Sequence, residues 1–136
     1  MLYKFGGKQP VLGKETYVSE TATVIGDVVI GDNCYIGHGA VIRGDYGRIE
    51  IGNDNAVIGL GASVSIWSEI GEWAIVAEGA VVKLKQVVPA KTVVAGNPAR
   101  VVRKVNAEDR KMWSWGKQIY VDLAKKYLKE GMTPVV

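Results

Sequence analysis

A period of six residues is the feature that most restricts what this chain can become. Counting every sixth residue from Val18 gives Val18, Val24, Ile30, Ile36 and Ile42. Counting again from Ile58 gives Val64, Ile70, Val76, Val82, Val88 and Val94. All twelve positions are Val or Ile, in a chain that is 48% apolar overall. Four residues after them stand mostly small side chains: Ala22, Val28, Cys34, Ala40, Ala62, Ser68, Ala74 and Ala80. Glycine often follows the branched residue directly, as at Gly31, Gly37, Gly59 and Gly71. A fixed short period means one small unit stacked on copies of itself. Branched side chains, stiff at χ1, stack well on an inward pleated face. The small residues fit the narrower inside of the next face, and Gly, Asn and Asp permit sharp corners. The fold expected is all-β, a parallel β-helix of about 4–5 coils.

The rhythm breaks once. Ile42 to Ile58 is sixteen residues, which is not a multiple of six. Ile51, with Asn55 four later, reads as one more repeat, yet the step from Ile51 to Ile58 is seven. Residues 43–50 are therefore expected to leave the stack as a small loop, with a bulge or seam near 52–57. After Pro98 the period changes. Asn106 to Asp109 reads as a capped helix start with acidic residues in its first turn. Met112, Trp115, Ile119, Leu123 and Tyr127 recur at spacings of three and four, a stripe expected to lie on an apolar flank of this chain or a neighbour. Gly131 and Pro134 end the helix. The organisation expected is one domain over 1–136, with the β-helix over about 11–103 and a C-terminal α-helix over about 106–130.

Composition narrows the function classes. The length of 136 residues fits one domain. A net charge of +3 is too small to argue for a nucleic-acid partner. No stretch approaches the roughly 18–20 apolar residues of a membrane span, and the first residues carry no apolar signal segment, so the cytoplasm is the default compartment. Cys34, the one cysteine, can make neither an internal disulfide nor a cysteine-based metal cluster. At an inward small position it reads as a buried, inert thiol.

The segment Ala40-Val41-Ile42-Arg43-Gly44-Asp45, continuing to Ile51-Gly52, resembles the γ-class carbonic anhydrase family, including its carnitine-operon members. So do Glu69 to Val76, the run Val94-Ala95-Gly96-Asn97-Pro98-Ala99-Arg100, and the terminal helix. The latter run is also shared by hexapeptide acyltransferases. The resemblance implies a left-handed β-helix with three hexapeptides per coil, although parallel crossovers in general are right-handed. It further implies a homotrimer with a divalent metal, usually zinc, held by three histidines between subunits. This sequence has one histidine. Relative to the family, about two coils carrying the other ligands are absent, and the seven-residue step marks the joint. No metal site and no cofactor are therefore expected.

His38 falls at a corner and is expected to point outward. A surface histidine, a catalytic base and a metal ligand are its three readings, the last only on a three-fold axis. Arg43 and Asp45 match family positions at the subunit contact, and are expected to form a charged pair that fixes docking register. Trp67, Trp73, Trp113 and Trp115 read as packing residues, with Trp67 as a candidate interface anchor. Lys83, Lys85, Lys91, Arg100, Arg103 and Lys104 make the last coils basic, read as a solvated face. Two functions follow. The leading one is a carbonic-anhydrase-like trimeric scaffold or binding module, without zinc or CO2 hydration, for an unidentified small molecule. The alternative is a hexapeptide-repeat acyltransferase that uses coenzyme A, with His38 as general base.

Overall fold

The computed structural model describes residues 1–135, without the side chains of residues 117, 121, 124 and 128. Fourteen strands, nearly all short, and one helix follow one another: β1 (Leu2–Tyr3), β2 (Val11–Leu12), β3 (Tyr17–Val18), β4 (Thr23–Asp32), β5 (Tyr35–Ile36), β6 (Val41–Asp54), β7 (Val57–Ile58), β8 (Ser63–Val64), β9 (Glu69–Ile70), β10 (Ile75–Val76), β11 (Val81–Val82), β12 (Val87–Val88), β13 (Thr92–Ala95), β14 (Arg100–Lys104) and α1 (Ala107–Glu130). Every pairing between named strands except β13–β14 is parallel. The chain divides into two units, Met1–Val105 and the helical segment from Asn106 onward.

Three walls make the first unit. Wall A stacks Leu2, Val24, Ile42, Val64 and Val82. Wall B stacks Leu12, Ile30, Ile51, Ile70 and Val88. Wall C stacks Val18, Ile36, Ile58, Val76 and Val94. Each wall thus has five rungs, and the unit is a left-handed β-helix of about five turns. Of the twelve branched positions, eleven are buried and Val18 is half-buried against the core. All eight small positions are buried as well. The six-residue period therefore reports the core directly.

Corners explain the spacing between rungs. A left-handed residue stands three positions after the inward branched residue: Gly39, Gly61 and Gly79 between walls C and A, and Glu15, Asn33, Trp73 and Lys91 between walls B and C. Trp67 and Lys85 do the same between walls A and B. An L-residue in this region costs about 1–2 kcal/mol, offset here by backbone bonds between coils such as Asn33 N to Lys14 O and Lys91 N to Glu72 O, both 2.9 Å. Glycine just after the rung serves another purpose. A Cβ at Gly31 would collide with the Gly52 carbonyl of the next coil.

The irregular stretch differs in part from the sequence expectation. β6 runs through residues 41–54 as strand instead of leaving the stack. Its pairing with β4 jumps from Gly26↔Gly44 to Val28↔Ile49, so the insertion is absorbed as a bulge and Ile49 enters the core. The second irregularity lies where the seven-residue step puts it. Ile30↔Ile51 is followed by Asp32↔Asp54, one extra residue beside Gly52. Two further differences concern the ends. The stack begins at Leu2 instead of about residue 11, and β14 folds back antiparallel on β13.

In the second unit, Asn106 caps α1 as expected. Its side chain accepts from Asp109 N, and Asp109 Oδ2 accepts from Asn106 N, each at 2.9 Å. The expected stripe is corrected in its first half only, since Leu123 and Tyr127 belong to it. Met112, Trp115 and Ile119 are exposed, whereas Trp113, Tyr120, Leu123 and Tyr127 are half-buried. Among the described residues no helix is long and apolar enough to cross a membrane.

Candidate functional site

His38 sits on the corner between walls C and A, two residues after the Ile36 rung and beside the left-handed Gly39. Its place at a corner is the one expected from the six-residue phase. The residue is half-buried, and its Nδ1 lies 2.6 Å from Ser19 Oγ and 3.1 Å from Thr21 Oγ1. Both hydroxyls belong to the same corner one coil below, and Ser19 is fully buried. They are held in turn. Thr21 N donates to Ser19 Oγ at 3.2 Å, Gly39 N donates to Thr21 Oγ1 at 3.1 Å, and the two hydroxyls are 3.1 Å apart. At Nδ1 the ring is therefore anchored by groups that can either give or take a proton. Sequence reasoning missed Ser19 and Thr21, yet both lie about one coil, eighteen residues, before His38.

The second cluster occupies the corner between walls A and B. Arg43 Nη2 donates to Asp45 Oδ2 at 2.9 Å, and this bond holds the Asp45 carboxyl below its usual range. Asp45 Oδ1 is buried and has no donor among the described residues. Alongside, Asp27 accepts from Lys8 Nζ at 2.8 Å and forms a looser ion pair with Arg48 Nη1 at 3.6 Å, while Arg48 Nε donates to Glu50 Oε1 at 3.0 Å. Trp67 covers this bulge: a Cβ on Gly47 would stand 2.5 Å from its ring. The sequence candidates Arg43 and Asp45 are thus brought together, but apart from the His38 corner.

The remaining candidates sort simply. Cys34 is buried, its Sγ directed at Asp32 O at 3.3 Å. Lys83 and Arg100 border an open groove with Leu84, Gln86, Pro98 and Ala99 on the last coil. The donor set does not fit a three-histidine zinc site. The one imidazole has its Nδ1 engaged by hydroxyls, and no three His, Cys, Asp or Glu side chains converge among the described residues.

Comparison with known proteins agrees with the repeat. Residues 9–44 match Hexapep, the bacterial transferase hexapeptide family with six repeats. A stretch of 47 residues is 51% identical to the carnitine operon protein CaiE of Citrobacter koseri, covering 35% of this chain and 24% of that protein. The chain therefore spans about a quarter of that relative's length. Among solved structures, a putative acetyltransferase from Bacillus cereus superposes with a TM-score of 0.58 at 25% identity, over 93% of this chain and 95% of that one. A hexapeptide-repeat acetyltransferase from Vibrio cholerae, solved with acetyl coenzyme A, gives a TM-score of 0.66 at 25% identity over 76% and 65%. These likenesses support a hexapeptide-repeat β-helix. They do not carry the narrower resemblance to the carbonic anhydrase class.

Proposed function

We propose that this chain, a left-handed β-helix of hexapeptide repeats, is an acyltransferase that uses a coenzyme A thioester, with His38 as its general base. The observation that carries the reading is the anchored imidazole, held through Nδ1 by Ser19 and Thr21. If Nδ1–H donates to Ser19 Oγ, Nε2 keeps a lone pair. That nitrogen can then take the proton from an acceptor hydroxyl or amine as the acceptor oxygen or nitrogen attacks the thioester carbon. The tetrahedral adduct collapses, the carbon–sulfur bond breaks, and the proton passes from the imidazolium to the departing thiolate. Lys83 and Arg100, at the groove on the last coil, suit the phosphates of coenzyme A. Likeness to the acetyltransferases of Bacillus cereus and Vibrio cholerae supports the same reading.

Calorimetric titration with acetyl coenzyme A tests it. Saturable binding is expected in the native protein and in His38→Asn, while thiol release with a panel of hydroxyl and amine acceptors is expected only in the native protein. Absence of binding at millimolar acetyl coenzyme A would sink the proposal.

A second reading, an assembling scaffold without group transfer, is favoured by the Arg43–Asp45 pair. On either reading we infer a homotrimer with Arg43 and Asp45 near the contact. Closed cyclic assembly hides the apolar outer residues of the walls without leaving an end that could polymerise.

A further inference from the structure

We infer that the acyl acceptor is an aliphatic diamine, one amine of which meets His38 while the other, as an ammonium, is held by Glu78 two coils above. The inference rests on the acyltransferase reading and names the acceptor class of that same site.

Three residues stand in one column on the corner between walls C and A. His38, Leu60 and Glu78 each follow by two positions an inward rung, Ile36, Ile58 and Val76, and these rungs are successive strand partners. Backbone bonds carry the same register through the corner. Gly61 N donates to His38 O at 2.9 Å, and Gly79 N donates to Leu60 O at 2.8 Å. The coils are in close contact there, since a Cβ on Gly59 would stand 2.8 Å from Glu78 N. Two spacings of about 4.8 Å put Glu78 roughly 10 Å along the column from His38. Leu60 between them is 41% exposed, and Glu78 is exposed. The column thus sets a base, an apolar step and a carboxylate in line.

Charge decides the class of acceptor. The segments 19–23, 37–41, 59–63 and 77–81 that build this corner hold Glu20 and Glu78 and no Lys or Arg. Arg43, Lys83 and Lys85 gather instead toward the corner between walls A and B. Glu78 has no ion-pair partner among the described residues. A carboxylate or phosphate on the acceptor would be repelled at this corner, a neutral polyol would gain only a hydrogen bond, and an ammonium would gain an ion pair. Ser19 and Thr21 hold Nδ1 from the coil below, so the column above His38 is where the acceptor chain lies. An extended chain of about four to five methylenes, with a hydrogen bond of about 2.8 Å at each end, covers roughly 10 Å. Its methylenes rest on Leu60, which removes apolar surface from water on both sides. The amine at His38 attacks in its neutral form. Its nitrogen bonds to the thioester carbon, its proton passes to Nε2, and the carbon–sulfur bond breaks as the thiolate takes that proton up. The product is an amide that still carries the remote ammonium.

The test is thiol release from acetyl coenzyme A by the full chain, with diaminobutane and diaminopentane set against butylamine, pentylamine and a series of sugar hydroxyls. The native protein should favour each diamine over its matched monoamine by about fivefold in kcat/KM, the worth of one exposed ion pair. Glu78→Gln should lose that preference through KM. Glu78→Asp, with its carboxylate drawn back by one methylene, should keep it and shift it toward the longer diamine. A native protein that treats diamines and monoamines alike, or turns over only hydroxyl acceptors, overturns this inference and leaves the acyltransferase reading standing. A Glu78→Gln variant that keeps the diamine preference overturns the role of Glu78. Absence of thiol release with every acceptor sinks the acyltransferase reading and this inference with it. Far-ultraviolet spectra check the fold of each variant. Should Glu78→Gln fail to fold, the native ratio and the chain-length shift in Glu78→Asp decide, and an unshifted preference overturns the assignment.

Discussion

At the scale of single residues, the chemistry turns on where one proton sits. Ser19 Oγ accepts from Thr21 N, and Thr21 Oγ1 accepts from Gly39 N. If the Ser19 hydroxyl donates to Thr21 Oγ1, 3.1 Å away, one lone pair on Ser19 remains for the imidazole at 2.6 Å. Nδ1 then carries the hydrogen and Nε2 is the basic nitrogen. The reverse network, with Ser19 donating to Nδ1, makes Nε2 a donor and incapable of abstracting a proton from an acceptor. Hydrogen positions distinguish the two, and the chain's single histidine makes them directly observable. Long-range proton–nitrogen NMR correlation should show the Nδ1–H tautomer in the native protein. Ser19→Ala should move the population toward Nε2–H and lower thiol release while acetyl coenzyme A still binds. A native spectrum of the Nε2–H tautomer removes His38 as the base.

At the scale of elements, one rung is the unit of stability. Ile70 is buried between Ile51 below and Val88 above on wall B. Ile70→Ala should cost about 2–5 kcal/mol, because the stacked neighbours cannot close over the lost atoms. Denaturant unfolding measures this, with the exposed Lys83→Gly as the comparison expected to change little. A loss below about 1 kcal/mol would mean that the rung assignment is wrong. The rungs were legible because a buried position in a stack recurs at a fixed period, and so was the bulge at Gly52, where the period fails. Ile49 was not legible, since the inserted residues shift the inward phase. Nor was β14, because an antiparallel return carries no period of six. The helix misled for a related reason. Two offset stripes can be drawn toward Leu123 and Tyr127, and only burial decides between a start at Met112–Trp115–Ile119 and one at Trp113–Tyr120. Ser19 and Thr21 look like ordinary corner hydroxyls until the coil length sets them under His38.

At the scale of the whole molecule, the same β-helix is compatible with metal chemistry and with thioester chemistry, so fold alone selects neither. The choice falls to the ligand groups. Catalytic zinc needs about three protein donors and an open fourth position, whereas each chain offers a single imidazole whose Nδ1 faces two hydroxyls. Three copies in a ring would bring three imidazoles to one metal only if their Nε2 atoms met on the symmetry axis. The contact inferred for such an assembly lies at Arg43 and Asp45, on the corner between walls A and B, whereas His38 stands on the corner between walls C and A. Elemental analysis of the purified protein should therefore give well under one zinc per three chains. Addition of zinc or exposure to a chelator should leave CO2 hydration at background and thiol release from acetyl coenzyme A unchanged. Stoichiometric zinc whose removal abolished activity would instead place His38 among metal ligands, and would require three subunits to meet at the His38 corner.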